Sequence, residues 1–166
     1  DKASVMDLES FETLDMEKVL IYIREHYVNE TSCKNDHTGI NLQKRVDGYQ
    51  KLALRTPAPA ISFLGNNNNF FSLSEIHTPY TLIIFWESSC SHCMIALPQL
   101  KKLYENQEEK TFEVVAISID TNKAEYLSAI KTGQFSWINY SDFKGWTGKI
   151  ANDYYLFSTP AMFLLD

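Results

Sequence analysis

Cys90-Ser91-His92-Cys93 sets two thiols one helical turn apart, directly after the apolar run of residues 81–86. A C-x-x-C pair of this kind suits disulfide exchange. The first thiolate attacks a substrate disulfide, and the second thiol resolves the mixed disulfide. The attacking sulfur must be ionised, and the positive end of a helix favours the anion, lowering a cysteine pKa from about 8.5 to roughly 3.5–7.5. Cys90, at the strand-to-helix junction, is the expected nucleophile, and Cys93, one turn inside, the resolving thiol. His92 between them would stabilise the Cys90 thiolate by charge or hydrogen bond, or else face water with little effect. A zinc site is a poor alternative. Structural zinc takes four ligands, and Cys90, His92 and Cys93 offer three that are badly spaced for one ion. A purely structural bridge would close too small a loop to constrain the unfolded chain much.

The elements that must carry this pair can be read around it. Residues 81–86 (Thr-Leu-Ile-Ile-Phe-Trp) are apolar on both alternations, as in a central parallel strand. A helix is expected from about Ser91 to Asn106, with Pro98 inside it and Leu97, Leu100 and Leu103 continuing its apolar positions. Residues 112–119 read as a second central strand. Asp120 or Thr121 would cap the next helix, which carries Leu127 and Ile130 and ends at Gly133. Short strands are expected at 137–140 and 162–165, with a short helix near 146–152. Upstream, Gly65 and the run Asn66-Asn67-Asn68-Asn69 read as the turn of a hairpin. Before Pro57, Met16, Val19, Leu20, Ile23 and Tyr27 mark one helical stripe capped by Asp15, and Leu42, Val46, Tyr49 and Ala53 a second capped by Asn41. Strand, helix, strand, helix, strand describes a βαβ-based α/β domain. Residues 1–57 form a helical N-terminal extension to a domain spanning 58–166.

Composition narrows the function classes. The 166 residues carry a formal net charge of −6, which argues against a nucleic-acid interface, since that needs clustered Lys and Arg. No stretch approaches the roughly 20 apolar residues of a membrane helix. The numbering begins in polar sequence at Asp1, which leaves room for a removed export signal or lipid anchor as a membrane tether. Three cysteines are too few for a disulfide-built scaffold, and Cys33 reads as an incidental loop thiol.

Phe85-Trp86-Glu87-Ser88-Ser89-Cys90-Ser91-His92-Cys93, with Pro98 beyond it, resembles the active-site signature of the thioredoxin superfamily. Val115-Ala116-Ile117-Ser118-Ile119-Asp120 and Thr159-Pro160-Ala161-Met162-Phe163-Leu164-Leu165-Asp166 resemble its TlpA/ResA-like branch, as does the segment from Asn139 to Trp146, in forms with a helical N-terminal extension common among Bacteroidetes. The resemblance implies a thioredoxin-like fold, a central mixed sheet flanked by helices, and an exported, periplasmic or cell-envelope thiol–disulfide oxidoreductase. It would serve protein thiol or disulfide substrates, most readily as a reductase, and draw on an upstream redox partner. No cofactor beyond the redox-active disulfide, and no metal, is implied. Thr159-Pro160 would be a cis-proline loop facing the dithiol and, with Trp86, would contact substrate. Where relatives carry an acid, this chain has Ile84 and Ala96, so Glu87 is the candidate for proton transfer to Cys93, unless it is simply a loop carboxylate in water. The fold normally adds a further strand and helix after the Pro160 strand. The sequence as given lacks them, which would leave a sheet edge open. Two other readings stand beside this one. A peroxiredoxin-like thiol peroxidase would want a proline close before Cys90, where Pro79 is too distant. A non-catalytic binding or metal-chaperone module would use the N-terminal stripes as its docking face.

Overall fold

The structure, a computed structural model, describes residues 3–4, 21–22, 37–64 and 70–166. In chain order the elements are β1 (Ala3–Ser4), α1 (His37–Lys51), β2 (Ser62–Leu64), β3 (Phe70–Ser72), β4 (Tyr80–Trp86), α2 (Ser91–Glu105), β5 (Phe112–Ser118), α3 (Lys123–Gly133), β6 (Ile138–Tyr140), α4 (Lys149–Asp153) and β7 (Ala161–Leu165). One sheet runs β1-β7-β4-β5-β6, and β2 and β3 form a separate antiparallel hairpin. Strand β4 lies parallel to β5 and antiparallel to β7, and β5 is parallel to β6, so the sheet is mixed.

The apolar runs 82–86 of β4 and 114–117 of β5 make sense because both sheet faces are covered. Side chains alternate across the pleat. Ile83, Phe85, Val115, Ile117 and Phe163 point to one face, where they pack with Ile61 and Phe63 of the hairpin region, Leu52 just beyond α1, and Ile150, Tyr154 and Leu156 in and after α4. Ile84, Trp86, Val114 and Ala116 point to the other, against Cys93, Leu97 and Leu100 of α2 and Tyr126, Phe135 and Trp137 in and after α3. Each large side chain withdrawn from water in this way contributes roughly 1.5–3 kcal/mol before entropy is counted. Of the expected Leu97, Leu100 and Leu103 stripe, the first two are buried, but Leu103 is 66% exposed and Tyr104 takes the inward place. The helix passes through Pro98, as the apolar positions beyond it imply.

Several boundaries differ from the sequence reading. Asn41 lies inside α1, which already includes His37, so it is not the cap. Neither Asp120 nor Thr121 caps α3. Asn122 does, accepting from the N–H groups of Ala124 and Glu125. Tyr126, not Leu127, is the buried residue of α3. The helix ends at Gly133, but the left-handed residue is Gln134, at φ 51°. Gly133 serves a different need: a Cβ there would come within 2.3 Å of the Phe135 ring. The outer edge of β7, expected to be open, carries β1 at Leu164 and Leu165. The stripe from Met16 to Tyr27 and its Asp15 cap lie outside the described residues except for Ile21 and Tyr22, which are helical. Cys33 and the turn at 65–69 also lie outside them.

Candidate active site

Strand β4 delivers the chain to the carboxyl end of the sheet, and residues 87–89 turn it into α2. Cys90 is the N-cap, with φ −81° and ψ 111°. Its Sγ accepts the N–H of Cys93 at 3.2 Å, one of the amides a helix start leaves without an internal partner. Its carbonyl accepts from the Met94 N–H, and its own N–H donates to Glu87 O, both at 3.1 Å. The thiol also reaches Thr159 O at 3.4 Å. Both cysteines are free, with Cys90 half-buried and Cys93 fully buried.

These surroundings separate the two sulfurs chemically. Burial pushes the Cys90 thiol up. Hydrogen bonds with the Cys93 and Thr159 side chains and with the backbone of Cys93 and His92 outweigh it, and the net shift is downward. For Cys93, burial acts in the same direction as the hydrogen bond with Cys90, and the thiol is pushed up to about 12. One thiol is thus poised to ionise and the other to stay protonated until the first has reacted.

Facing the pair, the Thr159–Pro160 bond is cis, as the resemblance implies. Trp86 is a correction. It is fully buried against Cys93, Tyr126 and Phe135 on the helix-covered face, so it does not present its ring to a substrate. Among the described residues its indole Nε1 has no hydrogen-bond partner. The His92 side chain is exposed, and the part of His92 that acts on Cys90 is its backbone N–H. Glu87 likewise meets the dithiol through its backbone: its carbonyl accepts from Cys90 N–H, and a backbone hydrogen bond lowers the Cys93 pKa against the larger upward effects.

Asp120, read from sequence as a helix cap, has a different place. It is 3% exposed, and its carboxylate accepts the Ser88 N–H at 3.1 and 3.2 Å, the Ser88 Oγ–H at 2.5 Å and the Ser118 Oγ–H at 2.6 Å. Its own N–H donates to Ser118 Oγ at 2.9 Å. A buried carboxylate needs such a set of donors, and here they tie the loop preceding Cys90 to the end of β5. The sequence signal was present, because Ser118 and Asp120 flank the end of an apolar strand beside a serine-rich loop, but an Asp at a strand end reads equally as a cap. Next to this loop a groove of about 600 Å³ opens between α2 and α3, with Ser88, Ser89, Met94 and Phe135 among its lining.

A family described as thioredoxin-like matches residues 79–166, which take in the dithiol, Asp120 and Pro160. No curated protein matches the chain. Among solved structures, a thiol-disulfide oxidoreductase from Bacteroides fragilis is similar at 32% identity and a TM-score of 0.58, over 65% of this chain and 81% of that one. The thioredoxin domain of a thiol-disulfide oxidoreductase from Bacteroides vulgatus gives 28% identity and a TM-score of 0.58, over 66% and 78%. A thiol:disulfide interchange protein from a Bacteroides species gives 27% and 0.56, over 66% and 72%.

Proposed function

The chain belongs to the thioredoxin-like family, and from that premise we propose that it is a thiol–disulfide oxidoreductase of the cell envelope that reduces disulfides in protein substrates. The observation that carries this reading is the placement of the Cys90 sulfur. It sits at the start of α2, accepts the Cys93 N–H at 3.2 Å, and is lowered in pKa beside a buried partner thiol. The Cys90 thiolate attacks one sulfur of a substrate disulfide, and the other substrate sulfur leaves as a thiolate. Cys93 then loses its proton and attacks Cys90 Sγ, releasing the second substrate thiolate and leaving a Cys90–Cys93 disulfide. Two electrons pass to the substrate, and an upstream dithiol restores the enzyme.

Within this reading the Thr159–Pro160 loop positions the substrate strand beside Cys90. His92 tunes Cys90 through its backbone N–H. Glu87 is the nearest carboxylate in sequence to Cys93 and its candidate proton acceptor, and Glu87→Gln tests it by the pH dependence of the resolving step. The names of the Bacteroides relatives support the disulfide chemistry. The branch resemblance supports an exported protein held to the membrane through a signal or lipid anchor ahead of Asp1, and reduction as its direction.

The deciding experiment replaces Cys93 by Ser and incubates the reduced variant with cell-envelope extract. Mixed disulfides that a reductant releases, and that vanish when Cys90 is also replaced by Ser, support the reading. Their absence, or their survival without Cys90, overturns it. Equilibration with glutathione measures direction: a potential near about −270 mV fits a reductase, whereas one near about −120 mV would mark an oxidant.

A further inference from the structure

Helix α1 grips the segment that leads into the Thr159–Pro160 loop. After α4 the chain closes in a Schellman arrangement, with Leu156 N–H on Ala151 O and Tyr155 N–H on Asn152 O, both at 3.0 Å. That arrangement puts Tyr155 in the left-handed region, at φ 48°, where glycine is the usual residue. A bulky residue in this conformation persists only when its surroundings impose it. The surroundings here come from the N-terminal extension. Gly48 of α1 lies so close to Tyr155 that a Cβ on it would fall 2.7 Å from the tyrosine Cβ. Lys51 Nζ donates to Tyr155 Oη at 2.6 Å and lies 5.2 Å from the ring centroid. The Arg45 guanidinium stands 5.6 Å over the Phe157 ring. Farther along, in the segment between α1 and β2, Pro59 O accepts from Tyr154 Oη at 2.9 Å. Val46, on the same helix, is fully buried. Tyr155 and Phe157 are thus held from α1 a few residues before Thr159, whose carbonyl meets the Cys90 thiol.

We propose that α1 is a positioning element for the Thr159–Pro160 loop, acting through Tyr155 and Phe157 to set how a protein substrate is presented to Cys90. This rests on the thiol–disulfide reading above. Gly48→Ala and Tyr155→Gly test it. Gly48→Ala adds helix propensity but forces its Cβ to within 2.7 Å of the Tyr155 Cβ, and Tyr155→Gly suits the left-handed backbone but gives up the Lys51 contact, so each can cost stability. A role confined to stability predicts lower melting temperatures with unaltered selectivity in the folded variants. The readout is the ratio of the rate constant for reduction of insulin to that for dithiobis(nitrobenzoate), a small disulfide that needs only the Cys90 thiolate; the ratio cancels any change in thiolate fraction. We expect each variant to lower it about tenfold, a cost typical of a displaced binding element, and the double variant to add little to Tyr155→Gly alone, because both break one contact. Ratios within about twofold of wild type in both folded variants would overturn the proposal. Wild-type protein inert toward both disulfides would instead overturn the function on which it rests.

Discussion

Cys90 and Cys93 share a motif but not an environment, and their titrations should show it. In the reduced protein, thiolate absorbance should rise once below the ordinary cysteine value, for Cys90, and again only toward about 12, for Cys93. The sign follows from the downward shift: more thiolate is present at a given pH, so the rate of reaction with a small disulfide should level off at lower pH than for a free thiol. Two overlapping steps near the ordinary value would contradict this. Asp120→Asn should cost about 2 kcal/mol in chemical denaturation, because an amide cannot accept from all the donors that Ser88 and Ser118 present. It should also slow exchange by freeing the loop before Cys90, and an unchanged denaturation midpoint would refute the anchor. The place of Cys90 at the helix start, with Cys93 one turn inside, was legible from residue types and spacing alone. The anchor was not, since a carboxylate at the end of β5 gives no sign that the loop after β4, 32 residues earlier, lies against it. Trp86 was misplaced for a different reason. A run apolar on both alternations already buries Trp86 as well as Phe85, and only the resemblance set its ring toward a substrate.

Strands β4 and β5 were readable because their central stretches, 82–86 and 114–117, are apolar on both faces, and α2 because its apolar positions persist beyond Pro98. Helix ends were harder. Asp120, Thr121 and Asn122 are all competent caps, and which one acts depends on where β5 releases the chain, a tertiary matter. Gly133 illustrates the same limit: the glycine signals an end correctly, yet it is there to admit the Phe135 ring, which stacks on Trp137 at 5.0 Å. Gly133→Ala should therefore destabilise by about 1–3 kcal/mol as the ring is forced outward, instead of stabilising as alanine does in an open helix. A thermal melt reads the difference.

At the scale of the molecule, the sheet separates two compartments, with α2, α3 and the buried sulfur on one face and the hairpin, α4 and the end of α1 on the other. Near the α2 side, Glu113 contributes to acid sensitivity. Burial raises its pKa, but hydrogen bonds from Lys110 and Tyr104 outweigh that and lower it. A depressed folded-state pKa gives stability that is present above the ordinary carboxylate value and lost as pH falls through the folded one. Glu113→Gln should flatten that part of the stability-versus-pH curve, and denaturation midpoints across acidic pH would check it. Cys93 packs among Leu97, Trp86 and Tyr126 as an ordinary member of the apolar interior. Under the proposed function, the resolving sulfur is therefore also one of the protein's packing units. A substitution anywhere around it that the dithiol form tolerates better than the disulfide form, by about 1.4 kcal/mol, moves the midpoint voltage by about 30 mV.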